Sequence, residues 1–513
     1  MNKLPLYEKV GYAMGDAAAN LVWRGALAYL AVFYTDTFGL AASAAAILFL
    51  VVRLTDGMTD IIMGMIADRT QTSWGKFRPW ILWSTPFLGA FMVLCFTTPN
   101  LSDTGKLLYA YLTYIGLTLA YTVNNVPYSA LMGVMTDDDK ERTSLSGFRF
   151  AGAFVGGLFV MGFLPALVGL FGDGNDAKGY QYTMYVFAGL LMALMVTSVA
   201  TTKERVVPIV QTRNSLRSEL WDLTKQSPFV LLPLLSMTLF FYYRNVISGL
   251  FFVLVFAVAT WFVRRMLNRP QGDKSGTQLD MLDLLTNKPW LILLGMGFLT
   301  MMYNGIKYSV IAYYFKYFVG DELLTGQYFI ALLVVSILGA LCTSYLARKL
   351  GRRNLFIVAL LLSSVLTCGF YWLPGESVSY IFVLGCAAEF FAAMMPTLFF
   401  SMLGDAADYS EWRNGRRATG LVYSAGTFVQ KTGNGFAGAL VLVVLAGYGY
   451  DGMDATTIEA SLPGMQQLMS FIPAAFGLAG ALLMLFYPLT EKRQQQMNAE
   501  LIARRSAIQT HHQ

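Results

Sequence analysis

Charge is what this sequence has least of. Asp, Glu, Lys and Arg make up 13% of its 513 residues against 56% hydrophobic, and the mean hydropathy is +0.52. A soluble domain carries roughly 25% charged residues, so a soluble globular protein is excluded and a polytopic membrane protein implied. Histidine is nearly missing, because His511 and His512 both lie in the last three residues. The four cysteines (Cys95, Cys342, Cys368 and Cys386) are isolated in apolar runs, which leaves no disulfide framework and no metal-ligand spacing. No GxxxxGK[ST] loop occurs, so a P-loop pump is excluded. No nucleophile stands beside a base, which argues against a membrane-embedded enzyme. A membrane sensor would need a soluble output domain, and no stretch is long enough for one. The N-terminal stretch lacks a cleavable signal, so the first span is expected to act as its own insertion signal.

The net charge of +6 would suggest nucleic acid in a soluble protein. Here most of the 37 Lys and Arg fall in one set of alternate loops and tails, which is the positive-inside pattern. Lys3 and Lys9 precede the first span, and Lys492, Arg493, Arg504 and Arg505 follow the last. Both termini are therefore expected in the cytoplasm.

Apolar segments near 10–36, 44–66, 79–97, 107–134, 146–170 and 180–200 are followed by segments near 290–317, 325–346, 354–373, 378–404, 419–446 and 467–488. Each is long enough for a bilayer core of about 30 Å. The expected organisation is a six-helix half over 1–201, a central linker over 202–288, a second six-helix half over 289–489 and a tail over 490–513. Short basic turns recur at corresponding places, DRTQTSWGKFR after the second span and ARKLGRRN after the eighth. Repeated halves around a central site are the plan of many secondary transporters. The linker holds two further apolar runs, 228–243 and 246–263, flanked on both sides by basic clusters. They predict an inserted hairpin and fourteen spans in all, with a re-entrant or interfacial hairpin as the alternative.

Against this apolar background, the second span carries Arg53, Asp56 and Asp60 on one helical face. An ionised side chain at the bilayer centre costs roughly 2.5–3.5 kcal/mol on insertion scales. Such a face must look into a polar cavity, where its groups either form a structural ion-pair ladder or hold a small cation or proton. Asp16, Asn20 and Arg24 form a second stripe in the first span. Thr122, Asn124 and Asn125 precede Pro127 in the fourth, a proline that either kinks the helix or frees carbonyls toward a cavity. Arg149 opens the fifth span, Lys307 lies in the seventh, Glu389 in the tenth and Lys431 in the eleventh. The run GDAADYSEWRNGRR (404–417) sets Asp405, Asp408 and Glu411 opposite Arg413, Arg416 and Arg417, as an ion-pair lock at the cytoplasmic rim or a solvated charged face. Among the aromatic residues, Trp23, Tyr121, Tyr128, Phe399 and Phe400 are candidates to stack on sugar rings.

The motifs GYAMGD (11–16), YTDTFG (34–39), RLTDGMTD (53–60), WGKFRPW (74–80), YTVNNVPY (121–128) and DAADYSEW (405–412), with the Lys431 region, occur in that order. In them the chain resembles the glycoside–pentoside–hexuronide:cation symporters, the melibiose-permease-like family of the major facilitator fold. The resemblance implies an all-α fold in a bacterial inner membrane and symport of a glycoside with a monovalent cation, Na+ or H+, by a monomer with no bound cofactor. It implies that Asp56, Asp60 and Thr122 hold the cation, with Asn125 beside them, and that Arg53 neighbours that site. Asn20 and Asn125 stand where the melibiose permease grips galactosides with aspartates, and their amides argue against melibiose as substrate. Arg149 and Lys431 match cavity residues, while Arg24 and Lys307 add positive charge as in the glucuronide and xyloside branch. The substrate set is thus Asn20, Arg24, Asn124, Asn125, Arg149, Lys307 and Lys431, and the coupling and gate set Arg53, Asp405, Asp408 and Arg417. The cavity cations either receive an acidic substrate or neutralise Asp16, Asp56, Asp60 and Glu389. A lipid-headgroup transporter of the same superfamily is the rival reading.

Overall fold

The computed structural model describes residues 3–206 except 27–28, 31–32, 41–47, 49–51 and 53–58, then 254, 257–258, and 276–511 except 322 and 450–454. Arg53 and Asp56 lie outside the described residues, as do the expected hairpin runs apart from three isolated positions.

The structure is all-α and multi-spanning. Among the described residues, eight helical stretches are long and apolar enough to cross a membrane. Helix α1 spans Leu6–Asn20 and starts after Pro5, whose extended backbone sets the entry. It runs directly into a π-helical turn, Leu21–Ala26, which carries Arg24, and a second such turn covers Phe33–Thr37. The visible part of the second span is α2, helical over 59–69. Then come α3 (Arg78–Cys95), α4 (Asp103–Met135), α5 (Asp139–Gly172) and α6 (Asp176–Thr201). Asp138 caps α5 by accepting from the backbone N–H groups of Lys140 and Glu141.

After the linker, α7 (Gly276–Leu285) leads into α8 (Lys288–Tyr313), which ends in a π-helical turn over Tyr314–Val319. Next are α9 (Leu323–Leu350) and α10 (Arg352–Cys368). The tenth span differs from its expected limits: it is split into α11 (Val378–Ala392) and α12 (Met394–Asn414). Pro396 lacks the N–H that would bond to the carbonyl of Ala392, which places the break there. Helix α12 then continues ten residues beyond the expected end at 404, so the acidic run is helical and largely buried. Helix α13 spans Thr419–Gly447. The last span begins earlier than expected, as α14 (Ala455–Met469) and α15 (Phe471–Met484), broken at Ser470 ahead of Pro473. Gln466 and Gln467 hid the first part by making it look polar. Helix α16 (Glu491–His511) closes the chain.

Two sets of helices pack by corresponding contacts. In the first, α1 lies against α5 and α6, and α3 against α4 and α6; in the second, α8 lies against α13 and α15, and α10 against α11 and α15. The sets meet where α5 packs on α9 and α12, and where α4 packs on α13. Large apolar side chains such as Trp83, Phe87, Val365, Tyr380 and Phe486 point outward, as a lipid-facing surface requires, while many polar groups point in.

Close helix contacts depend on missing side chains. A Cβ at Gly156 of α5 would come 2.5 Å from the carbonyl oxygen of Ala17, and one at Gly152 would come 2.3 Å from that of Ala13. Gly433 is likewise closed in by Met301, whereas nothing crowds Gly435. We expect Gly156→Leu to force α1 from α5 and destabilise the protein by about 1–3 kcal/mol, read as a lower melting temperature in detergent. An unchanged melting temperature would show that this contact does not limit the packing.

Candidate functional site

Asp60, on α2, is fully shielded from solvent, with 0% exposure. The hydroxyl of Thr122 donates to its Oδ1 at 2.9 Å, from α4. The ammonium of Lys431 reaches it from α13, at 3.0 Å from Oδ1 and 2.9 Å from Oδ2. Thr122 lies on α4 of the first helix set and Lys431 on α13 of the second, so the groups around Asp60 join the two. The Lys431 ammonium also lies 5.7 Å from the centre of the Tyr121 ring, which stacks on Trp23 at 5.5 Å. Both rings are half-buried, unlike Tyr128, Phe399 and Phe400, which are enclosed in the core.

Asn125 follows Thr122 on the same face of α4 and is buried. Asn124, expected among the substrate residues, is placed differently. Its amide donates to the carbonyl of Ile81 at 3.0 Å and to the hydroxyls of Ser84 at 2.9 Å and Thr85 at 3.2 Å. All three acceptors are on α3, so Asn124 braces two helices of the same set; adjacent helix positions diverge by about 100°, which separates it from Asn125.

A second cluster surrounds Asp16. Arg149 of α5 pairs with it at 3.2 Å and donates to the Ser129 hydroxyl at 3.0 Å. The guanidinium lies 5.3, 5.4 and 4.5 Å from the ring centres of Tyr128, Phe150 and Phe400, the last from α12 of the other set. Asn20 donates to the Asp16 carbonyl at 2.9 Å, one turn back. Arg24 lies over Phe154 at 5.9 Å, its stem against Gly157. Among the described residues no carboxylate lies within 4.0 Å of its guanidinium.

The third cluster is in the second set. Lys307 is 3.4 Å from Glu389, whose other oxygen accepts from Tyr308 at 2.9 Å and Ser336 at 2.8 Å. Among the described residues, Lys307, Arg149 and Lys431 are each paired with a carboxylate. A single charge at such depth would cost several kcal/mol, and mutual pairing offsets much of that.

At the end of the bundle that carries both chain termini, the two sets are tied by a buried network. Arg142 of α5 bonds through one nitrogen to Asp405 and through the other to Asp408, each at 2.9 Å. Arg417 pairs with Asp408 and with Glu411 at 3.1 Å, and donates to the carbonyl of Gly133 at 2.9 Å. Arg352 pairs with Asp405 at 2.9 Å and with Asp139 at 3.2 Å. Hydroxyls extend the seam, with Thr143 against Ser401 at 2.9 Å and Ser146 donating to the Thr397 carbonyl at 2.7 Å.

Of the arginines expected to face the acidic run, Arg417 does so; Arg416 pairs instead with Asp283 of α7. Burial pushes the Asp283 carboxyl above its ordinary range, with Arg416 opposing. The missed partners were Arg142 and Arg352. Arg142 sits in DDDKER (137–142), which reads as a solvated turn, and nothing local distinguishes it from Lys140.

The matched sequence family is described as MFS/sugar transport protein and covers residues 11–242 and 227–491. The inner membrane symporter YicJ of Escherichia coli K12 is 31% identical over 496 residues, covering 95% of this chain and 93% of that protein. The isoprimeverose transporter of Lactiplantibacillus pentosus is 29% identical over 507 residues, covering 98% and 92%. Among solved structures, the MFS transporter FucP in its outward conformation superposes with a TM-score of 0.61 at 11% identity, covering 94% of this chain and 98% of that one. The inward-facing charge pairs, the lipid-facing apolar surface and these similarities agree: the chain belongs to the MFS/sugar transport protein family and is a secondary-active membrane transporter rather than an enzyme.

Proposed function

We propose that the protein imports a glycoside together with a monovalent cation, sodium, by alternating access. The observation that carries this reading is Asp60, a buried carboxylate that receives a neutral oxygen donor from Thr122 and an ammonium from the opposite helix set. A hard cation prefers such oxygen ligands. Asp56, four positions before Asp60 in the sequence, and Asn125 complete the proposed cation set, to which Arg53 is assigned as a neighbour. In the absence of sodium the Lys431 ammonium serves as a tethered cation. When sodium binds, Lys431 is released toward Trp23 and Tyr121, where its N–H groups serve sugar hydroxyls. Each ligand then favours the other reciprocally.

The two sets are, in this reading, two six-helix halves of a major facilitator fold, 1–201 and 289–489. The 202–288 linker carries an extra hairpin, and a monomer with cytoplasmic termini is the working unit. The corresponding contacts of α1 and α8 with their neighbours support the repeat. The network of Arg142, Asp405, Asp408, Arg352 and Arg417 then acts as the cytoplasmic lock that opens on release. One charge moving down about 150 mV supplies about 3.5 kcal/mol and a tenfold sodium gradient about 1.4 more, enough for roughly thousandfold accumulation.

The substrate site is placed on Asn20, Arg24, Asn125, Arg149, Lys307 and Lys431, with Trp23 and Tyr121 as stacking surfaces. Arg24 favours an acidic glycoside such as a glucuronide, since the other three cations already face carboxylates. Similarity to the isoprimeverose transporter favours a neutral xyloside instead.

Uptake into proteoliposomes under an imposed sodium gradient, with a panel of neutral and acidic glycosides, tests both. Asp60→Asn is expected to abolish accumulation above the outside concentration; retained accumulation removes Asp60 from the cation site. Arg24→Gln should raise KM for an acidic glycoside about tenfold or more, from the loss of a charged hydrogen bond of about 1.5–3 kcal/mol, and leave a neutral one unchanged. Equal uptake of the acidic glycoside by the variant assigns Arg24 elsewhere. For the lock, Arg142→Gln leaves buried carboxylates short of a partner, a loss of about 3–5 kcal/mol to the closed end. A cysteine introduced by Ser401→Cys, with the native cysteines replaced, should then react faster with an impermeant thiol reagent. An unchanged labelling rate would mean that the network does not hold that end shut.

A further inference from the structure

Two carboxamides of α13 take no part in the groups around Asp60, Asp16 or Glu389. Gln430 is half-buried, and Asn434, one turn further on, is exposed. Among the described residues neither side chain has a hydrogen-bond partner in the protein. Both lie near the middle of a 29-residue helix that is long and apolar enough to cross the membrane. An unbonded carboxamide against hydrocarbon is strongly disfavoured, so polar side chains at such depth face the bundle interior or a water-filled space.

The packing of α13 agrees with that direction. Thr427 and Tyr423, seven and eleven positions before Asn434, fall within about 20° of it around the helix axis. Both are buried. Tyr423 closes on α4 of the first set, where a Cβ at Gly133 would come 2.9 Å from its ring. Val443, nine positions after Asn434 and so about 180° round the helix, is exposed on the opposite face, as a lipid-facing apolar side chain is. Asn434 therefore looks into the space between the helix sets, and Gln430, about 40° away, looks there with it. A Cβ at Gly305 would lie 3.2 Å from the Asn434 Oδ1, which sets this amide beside α8 two positions from Lys307. Lys431, three positions before Asn434 and on the neighbouring part of the same face, has its ammonium 5.7 Å from the centre of the Tyr121 ring.

A carboxamide offers N–H donors and a carbonyl acceptor and carries no charge. A sugar hydroxyl both gives and accepts a hydrogen bond, so it satisfies such a group fully, whereas a carboxylate meets only its donors. Side chains one turn apart have their Cβ atoms roughly 5–6 Å from each other, which suits two neighbouring hydroxyls of one ring. We propose that Gln430 and Asn434 read the ring hydroxyls of the transported glycoside and so set its specificity, while Arg24 reads an acidic group. The proposal rests on the glycoside symport reading and adds two residues to its substrate site. A site built to bond a hydroxyl rejects an analogue without it, because the amide is then left unbonded.

The test uses the full-length protein in proteoliposomes under an imposed sodium gradient, with methyl β-D-xyloside and methyl β-D-glucuronide as probes. The two share the hydroxyls at C2, C3 and C4 and differ by the carboxylate. Asn434→Leu is expected to raise KM for both about tenfold, the loss of hydrogen bonding at one neutral group, and Gln430→Leu to act in the same direction. Xylosides lacking the C2, C3 or C4 hydroxyl locate the contact. Removing the hydroxyl that meets Asn434 should raise KM in the parent protein and add nothing in Asn434→Leu. If Asn434→Leu lowers the melting temperature, Asn434→Ser carries the comparison. Orientation is read without any transported substrate: with the native cysteines replaced, Asn434→Cys should react with an impermeant, charged thiol reagent several-fold faster than Val443→Cys. Equal labelling of the two, an unchanged KM, or deoxy effects equal in parent and variant overturns the proposal. A parent protein that accumulates neither probe removes the symport reading and the proposal together; accumulation by the parent with unaffected variants removes the proposal alone.

Discussion

Neutralisation of buried carboxylates by cations from the opposite helix set is the constraint on which this structure depends. Asp60 is met by Lys431 across the middle of the bundle, and Asp405 and Asp408 are met by Arg142 at one end. In a low-dielectric interior an unpaired charge is strongly disfavoured, so each such pair fixes how the two sets sit. It also makes the arrangement conditional. A contact made of charges can be replaced by water or by an ion when the sets separate, which an apolar contact cannot match.

This explains a division of labour within the bundle. Pairs confined to one set, Asp16 with Arg149 and Lys307 with Glu389, hold their own helices and need not change when the sets move. Pairs that cross between sets are those whose exchange would accompany transport. Asn124 belongs with the first kind, since all its bonds go to α3. Glycines serve close contacts within and between the sets: α1 and α5 touch backbone to backbone at Gly152 and Gly156, and Gly147 of α5 meets the Ala340 carbonyl of α9. The crossing seam adds hydroxyls and charges at Thr143, Ser146, Arg142 and Arg352.

The sequence by itself determined that the chain is a multi-spanning helical membrane protein and which polar residues lie within its spans. Low charge and long apolar runs have few other solutions, because a bilayer requires every backbone group to be bonded internally. It also marked Asp60, Thr122, Arg149, Lys307, Glu389 and Lys431 as singular, since a polar residue in an apolar helix stands out against its neighbours. Helix limits were less legible where proline broke a span at Pro396 and Pro473, and where Gln466 and Gln467 masked an apolar face.

Only the tertiary structure decided who pairs with whom. Arg142 lies 263 positions from Asp405 in the chain and Lys431 lies 371 from Asp60; no periodicity or local spacing connects residues so far apart. The same holds for Asn124, whose neighbour Asn125 is chemically identical. That Asn124 is the one bonded to α3 follows from the rotation of α4 against α3, a property of packing that composition does not carry.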